Sequence, residues 1–231
     1  MAIETAQITQ VSDLVSSLAR EDVSGLSHDE LLDVHAAVAR LGRLTGTLQA
    51  RLDGEIGQRS KASMAGGGLA RGVGFGDAGK LISRVTGGSQ AGARRSMEAG
   101  DALLPVAPRD PRTGVVAADA GSPVGPGSPG QPAATKYPAV AAAALAGDLS
   151  VDAVGIISSG LNTVADRAPS DQVHALERAL VAQAKTLTAQ EVRRMVARAI
   201  ARFDEQGVRE RERRNRDARY LTWSEDHTGM V

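Results

Sequence analysis

The chain has no cysteine. Disulfides and thiolate-bound metals are therefore excluded, and the redox state of the compartment is left open. Aromatic residues are nearly as scarce: Phe75, Tyr137, Phe203, Tyr220 and Trp223 are the only five in 231 residues. A core built almost without them must come from Ala, Leu, Val and Ile, which suits closely packed helices better than a β-sandwich. An excess of charge of one sign is missing too. Lys and Arg number 27 and Asp and Glu number 27, so the chain as a whole carries no signature for nucleic acid or membrane. No apolar run approaches the ~20 residues that span a bilayer. The start, Met1 to Gln7, has neither the basic nor the apolar segment of a signal peptide. The expectation is a cytoplasmic protein of one or two domains with no membrane partner.

What is present is helical periodicity. Ser27-His-Asp-Glu30 is a capping box, in which serine and glutamate satisfy two orphan amides reciprocally. Leu31, Val34, Val38, Leu41, Leu48 and Leu52 then follow at a period of 3.5, with only Thr45 interrupting. The spacing predicts a long helix from about Ser27 to Gln58, with a shorter one over Ile8 to Leu18 on the same seam. A glycine-rich break covers Ser60 to Gly76. Two short helices are predicted next, Asp77 to Val85 and Ser89 to about Leu104, turned at Gly87-Gly88.

Composition changes at Pro105. Seven prolines among Gly, Ala and Ser between Pro105 and Tyr137 predict a disordered linker. Helical signals resume in an alanine-rich stretch from Ala139 to Ala146. Ser150 and Ser170 are read as caps of the next two helices. Thr188-Ala-Gln-Glu191 is a second capping box, opening a helix that carries Val192 to Phe203. A separate charged helix is predicted from about Gly207 to Arg219. Tyr220 to Trp223 are strand formers, Glu225 to Gly229 have turn chemistry, and Met230-Val231 read as the start of a return strand. The expected fold is an all-α multi-helix bundle in two halves, residues 1–104 and 138–219, joined by the linker 105–137. An incomplete β-hairpin over 220–231 follows, read as a joint to an absent module. Shared apolar seams favour one composite domain over two bundles.

Three motifs compete with plainer readings. Gly74-Phe-Gly-Asp-Ala-Gly79-Lys80 matches a dinucleotide fingerprint and part of a phosphate-binding loop. Both need a buried strand just before them, and Met64 to Val73 is not one. Leu81 also stands where the magnesium-binding Ser or Thr belongs. This segment reads as a glycine loop before a helix. The second motif is the pair of short helices around Gly87-Gly88. It has the outline of a helix-turn-helix, with Ala78, Leu81, Ile82 and Val85 facing inward on the first helix and Ala93 and Met97 on the second. The second helix would present Ser89, Gln90, Arg94 and Arg95. Residues 61–104 carry six basic and three acidic side chains, against five and nine in residues 1–60, so positive charge gathers at this helix. An ordinary helical hairpin with solvated arginines explains the same pattern. In the third, Arg209 to Arg219, the pairs Glu210–Arg214 and Glu212–Arg216 are i,i+4 neighbours in the favourable order. Arg209, Arg213 and Arg216 are left on one face, either as a phosphate-contacting ridge or as part of a solvated, self-paired helix. His28, His35, His174 and His227 form no metal-ligand spacing. No nucleophile–base set can be assembled. Neither catalytic residue, metal nor cofactor is expected.

Four segments together resemble a known family. They are the heptad helix at Leu31-Leu-Asp-Val-His-Ala-Ala-Val-Ala-Arg-Leu41, Gly88-Ser-Gln-Ala-Gly-Ala-Arg-Arg95, Ala144-Leu-Ala-Gly-Asp-Leu-Ser-Val-Asp-Ala153, and Ala184-Lys-Thr-Leu-Thr-Ala-Gln-Glu-Val-Arg-Arg194. Their order is similar to that of the family called domain of unknown function 222, common in high-GC bacteria, which often precedes an HNH nuclease module. The resemblance implies association with DNA processing. It brings no catalytic residue, since the His-Asn-His metal site has no counterpart in this sequence. Two partners are therefore expected: DNA, at Ser89, Gln90, Arg94, Arg95, Arg209, Arg213 and Arg216, or a second copy of the chain along the Leu31–Leu52 seam. A helical protein-interaction domain is the alternative function.

Overall fold

The computed structural model describes residues 3–61, 63, 67–105 and 135–217. The expected hairpin over 220–231 and most of the expected linker lie outside the described residues. Within them the chain is all α-helical, with one isolated antiparallel bridge between Pro105 and Thr135. The helices are α1 (Thr5–Leu18), α2 (His28–Arg59), α3 (Gly68–Gly72), α4 (Ala78–Thr86), α5 (Gln90–Leu103), α6 (Pro138–Leu145), α7 (Val151–Ala165), α8 (Ser170–Ala184) and α9 (Ala189–Asp217).

Local chemistry sets most of their ends. The Ser27 amide donates to Glu30 Oε2 at 2.9 Å, and the Glu30 amide returns to Ser27 Oγ at 3.4 Å. Thr188 and Glu191 repeat the arrangement at 2.8 and 3.4 Å. Asp77, Ser89 and Ser150 cap α4, α5 and α7 by accepting from amides three residues on. Gly87, at φ 70°, closes α4 in the left-handed region that favours glycine.

The chain divides into two compact units, residues 1–42 and 43–231. The first holds α1 and the opening of α2. None of its described residues is buried; among them only Leu26 and Ala39 are half-buried. Val38 is 60% exposed and Leu18 61%.

The second unit contains the core. Helix α7 lies at its centre and touches α5, α6, α8 and α9. Val154, Ile157, Leu161 and Val164, spaced three, four and three apart, are completely buried along it. Gly160 lets α9 approach: a Cβ there would stand 2.3 Å from Val196 Cγ1. Residues on both sides of 106–134 contribute to this one core, Ala99 and Leu103 from α5 meeting Val140, Leu149 and Val154.

The later part of α2 joins the core through small residues. Thr47, Ala50, Asp53 and Gly54 are its buried positions. A Cβ at Gly100 would lie 1.8 Å from the Ala50 carbonyl oxygen, and one at Gly54 would lie 2.8 Å from the Gly100 carbonyl carbon. The α2 and α5 backbones are therefore in direct contact. Polar clasps flank the crossing. Buried Asp53 accepts from Gln49 Nε2 at 2.8 Å and Ser96 Oγ at 2.6 Å. Arg43 Nε donates to the Gly147 carbonyl at 2.5 Å.

Several sequence expectations are corrected. The break over Ser60–Gly76 contains α3, because Gly68 (φ 80°) folds the chain back against Arg59, whose carbonyl would lie 2.6 Å from a Cβ. Val85 does not face inward. It is 76% exposed, since the buried edge of α4 runs through Gly79 and Ile82. Ser170 is the first residue of α8 and not its cap. The Pro169 carbonyl accepts the Gln172 and Val173 amides instead. Tyr137, placed in the linker from composition, is 2% exposed, its hydroxyl donating to Asn162 Oδ1 at 2.7 Å. The two helices expected over 188–219 are one. α9 runs without a break from Ala189 to Asp217, through Gly207.

Candidate nucleic-acid interface

The continuity of α9 changes what its arginines can do. A helix turns about 100° per residue. Arg194, Arg198, Arg202, Arg209, Arg213 and Arg216 therefore fall within about 100° of arc on one face. All six are exposed. Along the axis Arg194 and Arg216 stand 22 residue steps apart, about 33 Å at 1.5 Å per residue, close to one turn of duplex DNA. By helical register the sequence also sets Glu191, Glu205 and Glu212 at positions on this arc, three acidic positions against six basic ones. Glu191 is already engaged: hydrogen bonds from the Thr188 amide and hydroxyl hold its carboxyl below the ordinary glutamate range, with a smaller pull from Arg194. The net positive face thus lies mostly beyond the first turn.

Beside this face runs a groove of about 470 Å³ between α8 and α9. Arg194, Arg198 and Arg202 form one wall, and Leu176, Leu180 and Leu187 form much of the other side. The α8 wall is tied to α6. Buried Glu177 accepts the Val140 amide at 2.9 Å through Oε1, and its Oε2 lies 3.0 Å from His174 Nδ1. Tyr137, the N-cap residue of α6, makes no side-chain cap bond there. Glu177 of α8 therefore supplies a carboxylate to the positive end of α6 from another element.

The α5 residues lie elsewhere. Ser89 is the cap of α5, its Oγ accepting the Gly92 amide at 3.0 Å. Gln90, Arg94 and Arg95 are exposed. Arg95 borders a second groove, about 570 Å³, between α5, α7 and α9. Glu98, Asp152 and Arg193 share that groove, so its charge is mixed. Arg193 stands on the flank of α9 away from the six-arginine face. The structure thus joins Arg209, Arg213 and Arg216 to three arginines that the sequence reading did not select, and sets Ser89, Gln90, Arg94 and Arg95 apart from them. The signal for Arg194, Arg198 and Arg202 was their i, i+4, i+8 spacing. A helix break assumed at Gly207 hid its register with Arg209.

The Gly74–Lys80 loop leads from α3 into α4, with Asp77 accepting the Lys80 amide at 2.9 Å and Lys80 Nζ 3.9 Å from the Asp77 carboxylate. Its geometry is that of a helix cap. Among the described residues no three His, Asp or Glu side chains gather as metal ligands, and no helix is long and apolar enough to cross a membrane.

Comparison with known proteins adds one result. The family described as domain of unknown function (DUF222) matches residues 35–231. The chain belongs to the DUF222 family. That match includes α3 to α9 and most of α2, and so both grooves and the arginine face. No curated protein and no solved structure matches the chain.

Proposed function

We propose that this DUF222 chain is a non-catalytic helical platform that rests on duplex DNA through the arginine face of α9, as part of an HNH-endonuclease-like protein. The observation that carries the reading is the single arc of six arginines along about 33 Å of one helix. Guanidinium groups at that density neutralise phosphates and release counterions. Contacts of this kind position a protein without reading bases, which suits a domain that presents a separate catalytic module. The family's place ahead of HNH modules, implied by the resemblance, supplies the link to nuclease chemistry. Arg94 and Arg95 on α5 form a second and weaker contact.

The test is fluorescence anisotropy of a labelled duplex titrated with the chain at rising salt. With four to six arginines engaged, log affinity should fall with log salt at a slope of roughly −4 to −5. Sequence preference should be slight. No binding at low salt would remove the DNA reading and leave a helical protein-interaction domain.

A further inference from the structure

Residues 1–42 form a compact unit that lacks the means to be stable alone. Helix α1 has 14 residues, a length at which isolated helices are marginal in water. None of the described side chains in this unit is buried. Yet both helices carry an ordered aliphatic stripe. In α1 it is Ile8, Val11, Val15 and Leu18, and in α2 it is Leu31, Val34, Val38 and Leu41. The spacing is three, four, three in each case, the heptad spacing of helices that pair with other helices. These eight side chains are between 36% and 61% exposed. The stripe on α2 is also not the side that enters the core further along, where Thr47, Ala50 and Gly54 are buried.

We infer that a second copy of this chain covers this face, the α1 and α2 stripes of the two copies meshing as a four-helix bundle. Two helices with the same spacing offer a self-complementary surface, and a two-fold interface needs only one such surface per copy. The area is adequate. A whole aliphatic side chain offers roughly 100 Å² of apolar surface, so eight that are half open leave about 400 Å² per copy. At the ~60% apolar share usual for interfaces, that corresponds to about 700 Å², close to the ~800 Å² per partner of a standard interface. The unit carries seven acidic and two basic residues. This disfavours an anionic lipid surface as the occupant and gives self-association a distinctive sign. Salt screens the repulsion between like-charged units, so dimerisation strengthens with salt while DNA binding weakens.

Sedimentation velocity of the full chain over about a hundredfold concentration range, at low and high salt, is the experiment. A monomer–dimer equilibrium with more dimer at high salt is expected. Val38→Asp with Val11→Asp should weaken it at least about tenfold, whereas Val85→Asp, on exposed α4, should leave it unchanged. A readout that leaves the stripe itself intact is a spin label on Ala37→Cys, an exposed position beside the stripe, which would be the chain's only thiol. Labels in the dimer should couple within about 20 Å, two interhelical spacings. A monomer at every concentration and both salts, a Val38→Asp/Val11→Asp chain that dimerises like the wild type, or a dimer without label coupling would overturn the inference. The reading of the α9 face as a DNA contact does not depend on any of these results.

Discussion

Residues 28–42 and 43–59 belong to one helix, α2, yet only the second stretch buries side chains. In the first, Leu31, Val34 and Val38 are 45%, 46% and 60% exposed. In the second, the buried positions are Thr47, Ala50, Asp53 and Gly54, while Leu52 remains 45% exposed. The leucine seam and the buried edge lie on opposite sides of the helix. What decides burial here is how close a neighbouring backbone can come. Ala50 and Gly54 admit α5 at Gly100, and a leucine on that edge would hold it away. The large aliphatic residues of the first stretch stay exposed.

Paired substitutions test this contrast most directly. Gly100→Ala should have the largest effect, since its Cβ would overlap the Ala50 carbonyl oxygen. A loss of about 3 kcal/mol or more is expected in urea unfolding. Gly54→Ala meets the Gly100 backbone at 2.8 Å and should lose about 1–3 kcal/mol. Gly42→Ala is the same chemical change in the first stretch, where a Cβ meets nothing within 4 Å. It should stabilise α2 by about 0.5–1 kcal/mol, by restricting the unfolded chain. Equal effects at positions 42 and 54 would contradict the contrast.

Polar burial in the second unit sharpens it further. Glu177→Ala removes the acceptor of the Val140 amide and should lose about 1–3 kcal/mol by calorimetry. A smaller effect is expected at Tyr137. Burial, then the charges of Glu177 and Asp166, push its phenol up to about 12 from the ordinary 10. The folded state therefore holds this proton more tightly than the unfolded state. The resulting stabilisation is complete below pH 10 and is lost as pH rises through about 12. Tyr137→Phe should flatten that alkaline decline. An unchanged decline would mean the phenol is not what titrates.

Much of the helical layout was legible in the sequence because caps are local. Ser27–Glu30, Ser89, Ser150 and Thr188–Glu191 mark helix starts through bonds spanning three residues. What the pattern could not give was partner choice. The seam from Leu31 to Leu52 names an apolar edge without saying what covers it, and the buried edge of Ala50 and Gly54 is too small in side-chain volume to stand out. Tyr137 sat in proline-rich composition, and only its Asn162 partner, 25 residues away, reveals its burial. The arginine face was half visible. Gly207 reads as a stop by propensity, yet α9 passes through it.

The central claim is that the α9 face, more than the start of α5, carries DNA affinity. It is tested by comparing Arg198→Glu/Arg202→Glu/Arg213→Glu with Arg94→Ala/Arg95→Ala in duplex-binding titrations across salt. The α9 variant is expected to lose roughly a hundredfold or more in affinity at low salt, and its salt slope should flatten by about three contacts' worth. The α5 variant should lose only several-fold. Wild-type affinity and slope in the α9 variant would contradict the account.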